Sequence, residues 1–256
     1  MSNSKGTAMV TGPTAGIGRC FAEALAGRGH DLVLVSRDAE RLEQVAAELR
    51  PRHGVVVEVL AADLVDRAQL ATVEARLADR GDPVRILVNN AGFGLRHRFL
   101  DNSVEQEQAH LDVLVTAVLR LTHAALGSMV EAGQGQIVNV SSVAGYFPRG
   151  SYAAAKAYVR TFSQWAHNEY ADRGVQVMAL CPGFVRTEFH SRMDVDQGSA
   201  PRFMWLEPDR VVAEALVDLD AGKAISIPSR RYRAIVRAAH FVPTGSLQKL
   251  QSLGRK

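Results

Sequence analysis

Short apolar runs alternate with amphipathic stretches along most of the chain. The runs that predict strands lie at 7–10, 31–36, 55–62, 85–90, 135–142, 175–181 and 224–228, and the patterns with helical spacing lie at 16–28, 39–50, 70–81, 103–132, 152–173 and 208–222. Most predicted strands are apolar on both faces, which is typical of a parallel sheet that helices cover on both sides. We therefore predict one doubly wound α/β domain over 1–256.

The composition restricts the kind of protein. Apolar residues make up 47% of the 256 residues and charged ones 22%, as in globular domains. No stretch approaches the roughly 20 uninterrupted apolar residues of a membrane span, and the first residues contain no signal-peptide core. Cys20 and Cys181 are the two cysteines, far apart and without metal-like spacing. We expect no disulfide framework, no metal site and a reducing, cytoplasmic setting.

Positive charge is concentrated at the C-terminal end. The net charge is +3, but 229–256 contains seven Lys or Arg residues and no Asp or Glu, which leaves −4 for the rest of the chain. A nucleic-acid-binding face spread over the domain is therefore not expected.

A helix over 229–241 would have an apolar side and a basic side. The apolar side comprises Tyr232, Ile235, Val236 and Ala239, and the basic side comprises Arg230, Arg231, Arg233 and Arg237. This pattern favours a docked helix or an oligomer contact. It also fits a membrane surface or an acidic partner.

A glycine-rich turn, TGPTAGIG at 11–18, joins the first predicted strand to the first predicted helix. Gly12, Gly16 and Gly18 permit a tight turn and a close approach of the backbone to a diphosphate, which the N-terminus of the following helix favours. A glycine triplet alone is a weak signal, but this one lies at the first turn of an alternating α/β chain. It predicts a dinucleotide site in which Thr14 and Ile17 also take part.

The end of the second predicted strand bears on the choice of dinucleotide. A chain that prefers NAD usually has an Asp or Glu there to accept the ribose 2′-OH, whereas this chain has Ser36 and Arg37. An arginine can bind a 2′-phosphate that a carboxylate would repel. We therefore predict NADP rather than NAD. The alternative is that Arg37 is a solvated residue paired with Asp38 or Glu40.

Tyr152 and Lys156 lie four residues apart in YAAAK, so they should project from the same helix face. A phenol with an ordinary pKa near 10 is a poor proton donor at neutral pH. A lysine one turn away, together with the charge of an oxidised nicotinamide, would lower that pKa. A lone Tyr-x-x-x-Lys is more typical of a packed helix, in which Tyr158, Phe162 and Trp165 would be the core stripe.

Six stretches together resemble the short-chain dehydrogenase/reductase family and occur in the family's order. They are TGPTAGIG (11–18), AADL (61–64), NNAG (89–92), NVSSVAG (139–145), YAAAK (152–156) and PGFVRT (182–187). The resemblance covers about residues 5–228 and implies a seven-stranded Rossmann-like sheet with cofactor and substrate at the carboxyl ends of the strands. It also implies a homo-oligomer, since relatives are often dimers or tetramers.

The same resemblance implies roles for individual residues. Further cofactor-binding positions would be Asp63 at the adenine ring, Asn90, Ala91 and Gly92 near a ribose, and Pro182, Val185 and Thr187 at the nicotinamide half. Lys156 would also bind the nicotinamide ribose hydroxyls. Ser142, with Ser141 as the fallback, would donate to the developing alkoxide. Tyr152 would protonate the carbonyl oxygen as hydride leaves the nicotinamide.

The chain departs from the family's pattern at one helix position. Leu114 stands where relatives often have an asparagine that supports a water next to the lysine, and Asp112 should point elsewhere. Because leucine forms no hydrogen bond, we expect a different or weaker proton relay and a lower turnover rate.

Residues 189–208 correspond to the family's variable substrate lid. Their apolar side chains favour an apolar acyl, steroid-like or lipid-like substrate, unless they simply pack onto the domain.

Three functional hypotheses follow. The leading one is an NADP-dependent oxidoreductase that interconverts a carbonyl and an alcohol. The second, motivated by Leu114, is a nucleotide-binding sensor or scaffold of the same fold with little turnover. The third is a nucleotide-sugar epimerase or dehydratase, for which the chain is short.

Overall fold

The structure, a computed structural model, describes residues 4–188 and 201–239 and contains one parallel sheet of seven strands. The strands are β1 (Thr7–Thr11), β2 (Asp31–Ser36), β3 (Val57–Ala61), β4 (Val84–Asn89), β5 (Gly135–Val140), β6 (Val175–Leu180) and β7 (Ile225–Ser226). Their order in the sheet is β3-β2-β1-β4-β5-β6-β7, and every pair is parallel. The predicted doubly wound, seven-stranded Rossmann-like sheet is confirmed.

Helices connect successive strands. They are α1 (Gly16–Gly27), α2 (Ala39–His53), α3 (Arg67–Ala78), α4 (Val104–Leu111), α5 (Ala117–Glu131), α6 (Gly150–Tyr170), α7 (Pro208–Asp220) and α8 (Arg230–Ala239). Short 3₁₀ turns lie at Phe99–Asp101, Val143–Tyr146, Ala171–Arg173 and Arg202–Met204. A parallel strand pair needs such a crossover, because its two strands run in the same direction.

Alternation of side chains along the strands divides the core into two layers. Ala8 and Val10 of β1 point to one face, where α1, α2 and α7 pack, whereas Met9 points to the other, where α3, α5 and α6 pack. Both faces are apolar and buried, as the sequence of the strands predicts. The central strands are therefore held from both sides, which fixes the position of their carboxyl ends.

The predicted long helix over 103–132 contains a change of helical pitch. The helix runs from Val104 to Glu131, and its middle, Asp112–Thr116, is a π-helical turn between α4 and α5. By length and composition this helix could cross a membrane, but half of its most apolar window is buried in the domain. It packs against α3 and the sheet, which accounts for its apolar composition.

Two expectations about helix faces are corrected. Tyr158 and Trp165, proposed as part of a core stripe in the packed-helix interpretation, are 40% and 50% exposed, because the side of α6 that packs on the sheet carries smaller residues instead. In α8, Tyr232 and Val236 are buried as predicted, but Ile235 faces outward. Residues 189–200 of the predicted lid and 240–256 of the basic extension lie outside the described residues.

Candidate active site

The glycine turn lies between β1 and α1 at the carboxyl edge of the sheet. Gly12 and Gly16 have φ angles of 66° and 55°, which other residues rarely adopt. A Cβ at Gly18 would lie 2.2 Å from the carbonyl oxygen of Gly12, so only glycine allows this contact. No side chain caps the N-terminus of α1. The turn therefore leaves helix N–H groups facing a backbone cradle that fits a diphosphate.

Asn90 and Thr11 hold this cradle in place. The Asn90 amide donates to the carbonyls of Thr11 (2.9 Å) and Gly12 (3.0 Å). The Thr11 hydroxyl accepts from the N–H groups of Asn90 (3.0 Å) and Ala91 (2.9 Å). The side chain of Asn90, predicted to line the cofactor, is thus engaged in bracing the turn. The sequence does not predict this role for Thr11, because a threonine at the end of a strand is common and indicates no particular function.

Arg37 and Asp63 face each other beyond the end of β2. The Arg37 guanidinium is 71% exposed and lies 3.8 Å from the Asp63 carboxylate, rather than beside Asp38 or Glu40. One helical turn later, Arg41 adds a second cation, 3.9 Å from Glu188. Exposed ion pairs at such distances are weak. Both arginines are therefore available to an incoming phosphate, and Arg41 is a candidate that the sequence analysis missed.

The PGFVRT stretch closes the opposite wall of the cradle. The carbonyl of Pro182 accepts from the N–H of Val143 (3.0 Å), and Val185 is buried beside Leu206. A Cβ at Gly16 would lie 2.8 Å from the Thr187 methyl group, so this wall contacts the turn directly. A cavity of about 500 Å³ lies at this junction. Its lining comprises Gly16, Arg19, Cys20, Arg186, Thr187, Glu188 and Pro208.

Leu114 lies in the π-helical turn beneath the NNAG segment. A Cβ at Gly92 would lie 2.9 Å from the Leu114 side chain, which is fully buried. Asp112 points away, as predicted, and accepts hydrogen bonds from Arg67 (2.9 Å) and Thr116 (3.2 Å). An apolar side chain therefore packs against the NNAG segment at the position where the resemblance implies an asparagine.

Tyr152 and Lys156 share one face of α6, as their spacing predicts. The Lys156 ammonium is 5.8 Å from the centre of the Tyr152 ring and donates to the carbonyl of Val140 at 2.7 Å. Lys156 is buried, and Tyr152 is partly buried. The main chain of β5 thus fixes the ammonium group beside the phenol.

Of the two serines that end β5, Ser142 is the one beside Tyr152. Its hydroxyl forms a hydrogen bond with the phenol and accepts the N–H of Ala144 at 3.1 Å. The Ser141 hydroxyl instead donates to the carbonyl of Lys156 at 2.6 Å. Successive residues of an extended strand point to opposite sides, so only one can face the phenol.

Burial shifts the pKa values of both titrating groups. It raises the pKa of Tyr152 to about 12, and the hydrogen bond with Ser142 opposes this shift. It lowers the pKa of Lys156 to about 8. The chain's own groups therefore keep the phenol protonated at neutral pH. They do not by themselves lower the phenol pKa, a change that we predict from Lys156 together with the charge of an oxidised nicotinamide.

His110 is a second titratable group at this site that the sequence analysis did not single out. Its ring lies 6.0 Å from that of Tyr152 and 5.4 Å from that of Phe93, measured between centroids. It is fully buried, and neither ring nitrogen has a hydrogen-bond partner of normal geometry among the described residues. A single histidine in an amphipathic helix carries no sequence signal of this kind.

We expect His110 to make the protein less stable in acid. Burial lowers its pKa and Lys156 adds to this, whereas the Glu107 carboxylate opposes it. A histidine whose pKa in the folded state is below its unfolded value of about 6.5 contributes to the stability of the fold. That contribution is complete above about pH 6.5 and is lost as the pH falls below it. His110→Gln should therefore show a smaller fall in Tm between pH 7 and pH 5 than the wild type.

The matched control for this prediction is His123→Gln, which alters an exposed histidine of α5. Thermal unfolding at several pH values measures the effect. The difference between wild type and His110→Gln cannot exceed about 1.4 kcal/mol per pH unit for one proton. Parallel Tm curves for the wild type and His110→Gln would contradict the assignment of a neutral buried imidazole.

Other kinds of site have less support. Among residues 4–188 and 201–239, no group of three or more His, Cys, Asp or Glu side chains is placed to hold a metal ion. Cys20 and Cys181 are free thiols, and burial raises the pKa of Cys181 to about 11. A thiol with such a pKa is a poor nucleophile at neutral pH. The chemistry of the site thus rests on the phenol, the ammonium and the hydroxyl group.

Known reductases share sequence with most of this chain. Very-long-chain 3-oxoacyl-CoA reductase of Anas platyrhynchos is 32% identical over 219 residues, which are 82% of this chain and 67% of that protein. Sulfoacetaldehyde reductase of Chromohalobacter salexigens is 38% identical over 185 residues, 70% of this chain and 72% of that protein. The chain spans 60% of the length of the bovine and human 3-oxoacyl-CoA reductases.

A solved structure shares nearly the whole fold. The short-chain dehydrogenase from Sphingobium yanoikuyae in complex with NADPH superposes with a TM-score of 0.86 and 38% identity, covering 96% of this chain and 95% of that one. The model of the short chain dehydrogenase family matches residues 6–198, which include every motif quoted above. The chain therefore belongs to the short-chain dehydrogenase family of oxidoreductases.

Proposed function

We propose that the protein is an NADPH-dependent reductase that converts a carbonyl group to an alcohol. The observation that carries the proposal is the arrangement of Tyr152, Ser142 and Lys156 beside the glycine cradle. A proton donor, a hydrogen-bond donor and a cation lie at the same edge of the sheet as a turn shaped for a diphosphate. This is the set of groups that carbonyl reduction requires.

The residues of the chain handle the oxygen of the substrate. When bound, the nicotinamide supplies the hydride for the carbonyl carbon. Ser142 donates a hydrogen bond to the carbonyl oxygen and Tyr152 transfers its proton to it. With a pKa of about 12, the phenol carries that proton at neutral pH but is a weak acid by itself, so release of the proton requires stabilisation of the phenolate. Lys156, with a pKa of about 8, is mostly charged at pH 7 and stabilises the phenolate that remains.

The preference for NADPH rests on charge. Arg37 and Arg41 lie where a 2′-phosphate is expected, and a relative with 38% identity was solved with NADPH. The Asp63 carboxylate lies nearby, but the Arg37 guanidinium is only 3.8 Å from it and opposes its negative charge. The ion pairs of these arginines with Asp63 and Glu188 are exposed and weak, whereas an arginine can form charge-assisted hydrogen bonds with a 2′-phosphate, so the phosphorylated cofactor is favoured.

We expect Arg37→Ala to reduce the preference for NADPH over NADH. A charge-assisted hydrogen bond contributes roughly 1.5–3 kcal/mol, so the ratio of kcat/KM values should fall by about 10-fold or more. Steady-state kinetics with both cofactors measures this ratio. Arg80→Ala, which removes an exposed arginine paired with Glu131, is the control. An unchanged ratio, or a wild type that prefers NADH, would overturn the cofactor proposal.

The substrate we propose is apolar. Exposed apolar side chains lie in the segment after β4, at Phe99, Leu100 and Val104. Another, Phe203, lies just after residues 189–200. They lie in segments that leave the carboxyl edge of the sheet. Trp205 and Leu206, by contrast, are buried against the domain, so part of the predicted lid packs instead of facing a substrate. The named substrates of relatives range from a long acyl-CoA to sulfoacetaldehyde, so similarity alone does not choose.

A substrate panel tests the function directly. Oxidation of NADPH is followed at 340 nm with hydrophobic ketones, 3-oxoacyl thioesters, steroid ketones and sulfoacetaldehyde. We expect turnover with at least one apolar carbonyl compound and higher kcat/KM for it than for sulfoacetaldehyde. Cofactor binding without turnover of any carbonyl would instead support the sensor or scaffold that Leu114 suggests.

We also propose a homo-oligomer in the cytoplasm. Four aromatic rings form a row along α6, with centroid distances of 5.9, 5.8 and 6.1 Å between Tyr158, Phe162, Trp165 and Tyr170. Tyr158 and Trp165 are exposed, and the other two are half-buried. Exposed contiguous aromatic groups are typical of protein interfaces. The two free thiols favour a reducing compartment. Sedimentation of the purified protein measures its oligomeric state.

A further inference from the structure

Helix α8 contributes a tyrosine whose hydroxyl joins two distant segments. Tyr232 is 3% exposed. Its oxygen accepts the N–H of Phe184 at 3.0 Å and donates to the carbonyl of Met204 at 2.7 Å. Phe184 belongs to the PGFVRT stretch before 189–200, and Met204 lies just after it. One hydroxyl group therefore holds both flanks of that segment.

The ring of Tyr232 also fixes the backbone beside Phe184. A Cβ at Gly183 would lie 1.9 Å from Cζ of the ring, so the ring rests directly on the glycine backbone. No other residue fits at Gly183 while Tyr232 keeps its position. The phenol of α8 thus contacts the PGFVRT stretch through both its face and its hydroxyl.

The two flanks are also joined to each other. Leu206 donates its N–H to the carbonyl of Phe184 at 2.8 Å, and Arg186 donates to the carbonyl of Leu206 at 2.9 Å. The rings of Phe184 and Trp205 are 5.4 Å apart. These bonds form a small ladder outside the sheet, and Tyr232 lies at its end. The position of Thr187 against Gly16 depends on the same stretch of backbone.

We propose that Tyr232 is a positioning residue for the cofactor site. It holds the backbone of 182–187 against the glycine cradle, so that α8 forms part of the frame of the active site. Tyr232 lies outside residues 6–198, which the family model matches. The proposal rests on the proposed function only in assuming that the cradle binds a nicotinamide dinucleotide.

The test is Tyr232→Phe, which removes both hydrogen bonds and keeps the ring on Gly183. We expect the Kd for NADPH, measured by its fluorescence, to rise at least fivefold, which corresponds to about 1 kcal/mol. The KM for NADPH should rise with it, whereas kcat should change less than threefold, because Tyr152 and Ser142 keep their places. Hydrogen exchange of the peptide covering 182–188 should become faster.

Ser128→Ala is the matched control. It removes a buried hydroxyl that donates to the carbonyl of Leu77 at 3.1 Å, on the far side of the domain. A Kd for Tyr232→Phe within twofold of the wild type, with a fall in Tm equal to that of Ser128→Ala, would show a structural role only and overturn the proposal. If the wild type binds NADPH but reduces no carbonyl compound, the proposed function fails, while the Kd comparison still decides the role of Tyr232.

Discussion

Replacement of Tyr152 by phenylalanine is expected to lower kcat/KM for NADPH-dependent carbonyl reduction by about 10²–10⁴-fold, because the side chain that gives up the proton is lost. The ring remains, so its packing between Lys156 and His110 should persist. The Kd for NADPH should therefore stay within about threefold, since the hydroxyl contributes to chemistry more than to binding. Steady-state kinetics and fluorescence titration separate the two effects.

Tyr158→Phe serves as the control for this experiment. It removes a phenol hydroxyl from the same helix, but from a side chain that is 40% exposed and does not share the face of Tyr152 and Lys156. Its kinetics should match those of the wild type. Equal rates for Tyr152→Phe and the wild type would remove the phenol from the mechanism and with it the assignment of Ser142.

Gly18→Ala is the second substitution for which we expect a large effect. A methyl group there would lie 2.2 Å from the carbonyl oxygen of Gly12 and 2.3 Å from the side-chain nitrogen (Nδ2) of Asn90, so the backbone of the turn has to move. Overpacking of this kind costs roughly 1–3 kcal/mol. A chain of this size should lose about 2–4 °C in Tm for each kcal/mol. The Kd for NADPH should rise at least tenfold, because the displaced turn is the cradle itself.

Gly127→Ala controls for the general effect of adding a methyl group to a helical glycine. No atom outside its immediate surroundings lies within 4 Å of a Cβ at Gly127. Alanine stabilises a helix interior by roughly 0.5–1 kcal/mol relative to glycine, so Tm should stay or rise. A Gly18→Ala protein with wild-type Tm and Kd would mean that the turn does not form the described contact.

The sequence predicts the sheet well because the signal is local. Each strand is a short apolar run, and alternation with helical spacing decides the connectivity. Local pattern fails where helical geometry changes without a change in composition. The residues of Asp112–Thr116 could equally form an ordinary helical turn, and no pattern among them predicts a π-helical turn. It fails again at Trp165, whose apolar ring suggests burial although smaller residues of α6, not this ring, pack on the sheet.

The site is predictable only in part, since motifs identify residues but not their partners. Tyr152 and Lys156 follow from helical spacing. The choice between Ser141 and Ser142 needs the orientation of the strand end, which the structure supplies. The contact of Tyr232 with Phe184 joins residues 48 positions apart, and no local pattern encodes it.

The attachment of Lys156 to the carbonyl of Val140 bears on how new specificities could be built on this scaffold. The ammonium takes its position from the main chain of a central strand, and substitution of side chains does not alter a main-chain carbonyl. The exposed apolar groups at Phe99, Leu100 and Phe203 lie instead on 3₁₀ turns outside the sheet. If these groups contact the proposed apolar substrate, randomising those turns should change which substrates are accepted while the proton chemistry keeps its geometry. Directed evolution of substrate range should therefore start there.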